Sequence, residues 1–197
     1  MSSSKANRIN IKNIHFALLT QDDSNGVAYD TPIALPYAMQ AQVTPSQATG
    51  VLYGDGAQQE NIGRLTGIAL QLDVNKIPIE YRAAMLGHTF ENGVMIEKAG
   101  DEAPYLALGY EVEQTNGYSE FLWFLKGRVQ EGNQTVQQQT KDVNFSTDQI
   151  TINFIKRDYD DCLRYYADTA NGEFDETQAE AWFDEGPASY PVASSDE

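Results

Sequence analysis

Residues Pro104–Val129 read PYLALGYEVEQTNGYSEFLWFLKGRV. Two β-type runs flank Asn116-Gly117, a pair that tolerates the positive φ needed at both centres of a two-residue type I′ turn. Leu106, Leu108, Tyr110 and Val112 alternate with Ala107, Gly109, Glu111 and Glu113. A period of two fits a strand with one buried face. The return run, Phe121–Leu125, is apolar at every position. Such a strand needs cover on both faces and belongs in the middle of a sheet. A buried helix fits less well, because β-branched and aromatic residues dominate and glycines punctuate both ends. This hairpin is the expected centre of the core, with Trp123 buried in it.

Outward from the hairpin, further strands are expected at Ile14–Thr20, Ala38–Thr44, Leu65–Val74 and Ile150–Lys156. Pro78 opens a short helix that ends at Leu86, with Gly87 in the position of a C′ glycine. Asn92-Gly93 makes a second hairpin turn. Pro45–Arg64 holds Gly50, Gly54, Gly56 and Gly63 among Gln and Asn, and reads as a long loop. A connection of that length is functional or disordered. Val51-Leu52-Tyr53 is its apolar anchor. Many short strands, glycine turns and one flanking helix predict a mainly β fold: a two-sheet β-sandwich or a partly closed barrel. Three regions are expected: a polar N-terminal arm over 1–12, the β domain over 13–165, and an acidic extension over 166–197.

Asp and Glu outnumber Lys and Arg by 29 to 13, for a net charge of −16. Clustered cations are what displace phosphate counterions, so this balance disfavours nucleic-acid binding. It also disfavours anionic membranes. From Tyr166 to Glu197 there is no Lys or Arg but nine acids. Cys162 is alone, which fits a reducing compartment and a small buried or half-buried side chain. No apolar run near the N-terminus has the length of a signal peptide or a membrane span. The sequons at Asn133 and Asn144 read as chance matches.

Chemistry is hard to find. His15 and His88 stand far apart, and no nucleophile elbow, zinc-binding helix motif, P-loop or dinucleotide fingerprint is present. Asp158-Tyr159-Asp160-Asp161 gathers carboxylates but lacks the spacing and glycine of a calcium loop, and reads as a solvated acidic turn. The expectation is no enzyme, no catalytic residue, no cofactor and no metal.

Several pieces taken in order resemble one family. They are Ile79-Glu80 with Leu86-Gly87-His88, then Glu91-Asn92-Gly93-Val94, then Ala103–Tyr110, then Trp123–Gly127. Leu52–Gly56, the strand after it, and Phe154–Tyr159 also fit. Together these resemble the major tail protein, the tail tube subunit, of long-tailed bacteriophages and prophages of Gram-positive hosts. The likeness covers roughly residues 10–165, and nothing is carried onto the acidic end. It implies a β-sandwich subunit made in the host cytoplasm that stacks as hexameric rings into the hollow, acidic-lined tube of the virion tail. Genomic DNA would pass through without specific binding, and the partners would be further copies, the tape measure, the tail terminator and the initiator complex. Val51, Leu52, Tyr53, Gly54 and Asp55 are then candidate inter-ring contacts. Gln71, Asp73, Glu111 and Glu113, on the polar faces of alternating strands, are candidates for the lumen wall. The competing readings are a carbohydrate- or surface-binding β-sandwich, as in an adhesin or baseplate component, and, last, a small hydrolase.

Overall fold

A computed structural model describes residues 6–36, 38–54, 57–130, 132, 148–174 and 176–188. Its first strand, β1 (Arg8–Asp23), turns at residues 24–25 into β2 (Gly26–Tyr29), and β3 is Ile33–Ala34. Next come β4 (Ala38–Gly54), β5 (Ala57–Val74) and helix α1 (Ile79–Leu86). A small ribbon follows, β6 (Thr89–Glu91) with β7 (Val94–Ile96). The central hairpin is β8 (Leu106–Gln114) and β9 (Ser119–Gln130). The chain ends with β10 (Asp148–Ile155), β11 (Arg164–Asp168) and α2 (Glu176–Glu180).

The fold is mainly β, as the patterning predicts. One large antiparallel sheet runs β2-β1-β8-β9-β10-β5-β4, with β3 added to β1 and β11 to β9. It curls around a core without closing. β9 lies at its centre, and both of its faces are covered. Leu122 and Phe124 join the inner core with Phe16, Ile68, Leu70, Leu72, Leu108 and Phe154. Phe121, Trp123 and Leu125 point the other way, into a second cluster closed by Trp182. Burying a large apolar side chain is worth about 1.5–3 kcal/mol, so a strand apolar on both faces is the natural centre.

Close approach at this centre requires glycine. A Cβ on Gly109 would lie 2.7 Å from the Trp123 ring, and one on Gly127 would lie 2.5 Å from Phe154. The two Asn-Gly turns differ. Asn92 and Gly93 both have positive φ, 51° and 80°, and Glu91 pairs with Val94, the expected two-residue turn. At Asn116-Gly117 only the glycine has positive φ. The Gly117 N–H donates to Gln114 O at 3.1 Å and the Gln114 N–H to Tyr118 O at 2.9 Å. That is a three-residue loop with a glycine bulge, not the expected type I′ turn.

Three boundaries move. Pro45–Arg64 is not a loop: β4 and β5 continue through it as paired strands, from Ser46↔Gly67 to Gly54↔Ala57. Backbone pairing outweighs the glycines and glutamines: Gln47, Gly50, Gly54, Gln58 and Gly63 each pair with a residue of the opposite strand. Residues 8–12, read as arm, are β1 and pair with β8, with Ile11 opposite Val112. At the other end, β11 runs across the expected boundary at 165–166 into the acidic extension and pairs with β9, Tyr166 opposite Leu122. Helix α1 follows the expectation: Pro78 caps it and Gly87 ends it at φ 75°.

Candidate functional site

The segment that sequence reading singles out for contacts is a projecting ribbon. β10 pairs with β5 only over Ile68–Val74. Beyond Ile68, β4 and β5 pair with each other alone among the described residues. The arm therefore runs nine residues past Pro45, roughly 30 Å at about 3.3 Å per residue. Ser46–Thr49 and Gly63–Thr66 are exposed. Val51 pairs with Asn61, Leu52 with Glu60, Tyr53 with Gln58 and Gly54 with Ala57. Asp55 lies outside the described residues.

Gln71 and Asp73 sit on the outer face, opposite buried Leu70 and Leu72. Register extends them into polar rows. Gln40, Asp73 and Gln149 form one, with the Gln149 amide donating to Asp73 at 2.8 Å. Gln42, Gln71, Thr151 and Gln130 form the next. Thr44, Ala69, Asn153 and Arg128 form the third. This face is rich in amides and hydroxyls and carries few charges.

Glu111 and Glu113 come together elsewhere, on β8. Lys12 on β1 bridges them, 3.1 Å from Glu111 and 2.6 Å from Glu113. Asn13 Nδ2 also donates to Glu111 at 2.7 Å. Glu111 is 6% exposed, so of the four lumen candidates it presents the least surface to any pore. The structure joins the four into two pairs, separated by β9 and β10.

Two cation sites escaped sequence reading. Lys126, the one cation inside the apolar run FLWFLKG, reaches Asp22 at 2.7 Å and Asp158 at 2.8 Å. Burial pushes the Asp22 carboxyl up, but the backbone N–H groups of Asp158 and Tyr159 and the Lys126 ammonium outweigh it and hold the group below its ordinary value. Arg157 is 1% exposed. Its guanidinium holds Asp160, donates to the Tyr165 hydroxyl, and donates to Pro187 O at 3.0 Å. Burial raises the Asp160 carboxyl, and the Arg157 and Cys162 N–H donors more than reverse it. Burial also pushes the Tyr29 hydroxyl beside Arg157 up to about 12. The only signal in the sequence was an arginine next to an acidic run.

These pairings divide the acidic run among separate cations: Asp158 to Lys126, Asp160 to Arg157, Asp161 to Lys156. Among the described residues no group of three His, Cys, Asp or Glu is placed to hold a metal. His15 bonds to Asn13 O at 3.0 Å and stacks on Phe183, while His88 contacts Asp101 at 2.9 Å. Neither hydrogen bond involves a hydroxyl or thiol. Burial raises the half-buried Cys162 thiol, which lowers its thiolate fraction. Trp123 and Trp182 are both buried, so neither offers a face for stacking a sugar. No helix among the described residues is long and apolar enough to cross a membrane. Compared with protein-family models and with curated proteins, the chain matches none.

Proposed function

We propose that this chain is a structural subunit that polymerises, and specifically a tail tube subunit whose rings stack into a hollow tube for genome passage. The observation that carries the reading is the β4–β5 arm. A two-stranded ribbon without a third strand or a packed face is at best marginally stable in water. Its unpaired edges are also templates for other chains. A neighbouring copy resolves both problems. The resemblance of residues 10–165 to tail tube proteins adds the form of the assembly. The amide-rich outer face, which includes Gln71 and Asp73, suits the wall of a pore that must not hold a polyanion, because it lacks clustered cations.

The test is electron microscopy of the purified protein over a range of concentration and salt. Rings or tubes are expected, promoted by salt that screens the repulsion between subunits of charge −16. A protein that stays monomeric at high concentration in salt, with an initiator complex present, rules the reading out.

A further inference from the structure

Where β10 gives way to β11, the curled sheet opens into a cleft of about 700 Å³. Its floor is apolar: Tyr110, Val112 and Leu122. Ile9 and Ile11 of β1 form one wall, and Val43 and Pro45 of β4 contribute to another. Both walls are strand edges. Over Arg8–Lys12, β1 pairs only with β8 among the described residues, because β3 joins it no lower than His15. β4 ends the sheet and, among the described residues, pairs only with β5. The rim carries two arginines and one glutamate. Arg8 is engaged, its Nε–H donating to Glu120 at 2.7 Å and its Nη2 to the Tyr166 hydroxyl at 3.1 Å. Arg164 is exposed and makes no side-chain hydrogen bond or ion pair among the described residues.

We infer that this cleft is the socket for the distal β4–β5 arm of a second copy of the chain. The inference rests on the reading of the arm as an assembly element and names the surface that receives it. The volume alone would also suit a small ligand. Free strand edges above an apolar floor favour a polypeptide, whose backbone can pair with the edge while alternate side chains fill the floor. The arm has the matching composition: Leu52 and Ile62, at alternating register positions, are apolar, and Glu60 is acidic. In a chain with 29 acids and 13 cations, arginines at a rim mark a place where an acidic segment of another copy is attracted instead of repelled. Pro45 belongs both to the cleft wall and to the root of the arm. Each copy thus carries donor and acceptor side by side, and the contact is head-to-tail. Passed from copy to copy, contacts of that kind generate rings or filaments, whereas reciprocal exchange stops at a dimer.

The test uses the full chain with Cys162→Ser, to which Ile9→Cys and Leu52→Cys are added singly and together. Association is read by sedimentation and microscopy, and cross-linking by non-reducing electrophoresis after mild oxidation. The double variant is expected to give a ladder beyond dimer, and each single variant no ladder. In parallel, Arg164→Glu should raise the concentration needed for association about tenfold, and adding Glu60→Arg should recover most of it. Association without cross-links, and without an effect of Arg164→Glu, overturns the socket and leaves assembly standing. A ladder without tubes supports the socket and overturns the tube reading. Failure of both association and cross-linking overturns both. Melting temperatures of the variants identify any loss that comes from misfolding, and the exposed pair Arg164→Glu and Glu60→Arg then decides alone.

Discussion

The indole N–H of Trp123 donates to the backbone carbonyl of Trp182 at 3.0 Å. One residue belongs to the central strand and the other to the chain that follows α2. The bond therefore ties the acidic end of the protein to the middle of its sheet. Phe183 packs on the same ring, 5.5 Å between centroids, and stacks on His15 at 4.7 Å.

Trp123→Ala is expected to cost about 3–5 kcal/mol in chemical denaturation, as for other buried aromatic truncations. Trp123→Phe keeps much of the packing and loses the hydrogen bond, for about 1–3 kcal/mol. If the alanine variant melts like the parent, Trp123 is not the packed centre described above.

Gly109→Ala should destabilise by about 1–3 kcal/mol, because the new methyl meets the Trp123 ring and the Leu122 carbonyl. Gly127→Ala should do the same against Phe154. Near-parental denaturation midpoints would show that β8 and β9 tolerate a wider separation.

Acid should erase the difference between the wild type and Asp22→Asn. The folded Asp22 carboxyl is held below its ordinary value of 3.8. Its contribution is therefore fully present above that value and is lost as pH falls through the folded one. The variant should melt lower at pH 6, and the gap should begin to narrow near pH 3.8 and close as pH falls through the lower, folded value. A gap that is constant down to pH 2 would mean the charge on Asp22 does not contribute.

The central hairpin was legible because its two signals are local: alternation in β8, and apolar residues at every position of Phe121–Leu125. The arm was not. Its glycines and glutamines are the composition of loops, and its strand character rests on which residue faces which across the ribbon. Residues 8–12 looked like a free arm because Arg8, Asn10 and Lys12 are polar. Their place in the sheet comes from partners on β8, Glu113 for Lys12 among them. The candidate contacts were half legible. Val51–Tyr53 do lie on the projecting arm, and Gln71 and Asp73 on a polar face. Glu111, by contrast, is covered beside Lys12, and no pattern in one strand reveals burial by its neighbours. Arg157 was invisible because its carbonyl partner, Pro187, lies far away in the chain.

Replacing Gln47–Gln59 with a short Gly-Ser linker should leave the melting temperature within a few degrees of the parent, because the arm pairs only with itself among the described residues. The same variant should no longer stack into tubes. Unfolding on shortening would place the arm in the core, and normal stacking would remove it from the contact between rings.

Arg157→Met should loosen the end of the chain by removing its hold on Pro187 and leaving Asp160 without its cation. Breaking a buried pair from one side costs about 3–5 kcal/mol. Faster amide exchange and proteolysis around Trp182 and Pro187, ahead of global unfolding, is the expected reading. Uniform loss of protection would mean the contact serves the whole fold.

The pairing of β1 with β8 sets an order of events in the cell. Ile11 and Val112 are partners, yet about a hundred residues separate them, which at 5–20 residues per second is roughly 5–20 s of synthesis. Throughout that interval the first strand has emerged and its mate has not. β8 and β9 are neighbours in the chain and can zip as soon as both leave the ribosome, whereas β1 must wait and then close a very large loop. Nascent chains on one polysome would thus each display a leading strand unpaired over Arg8–Lys12 beside the others. Polar Arg8, Asn10 and Lys12, interspersed among Ile9 and Ile11, keep that waiting strand from pairing with its neighbours before its own partner is made.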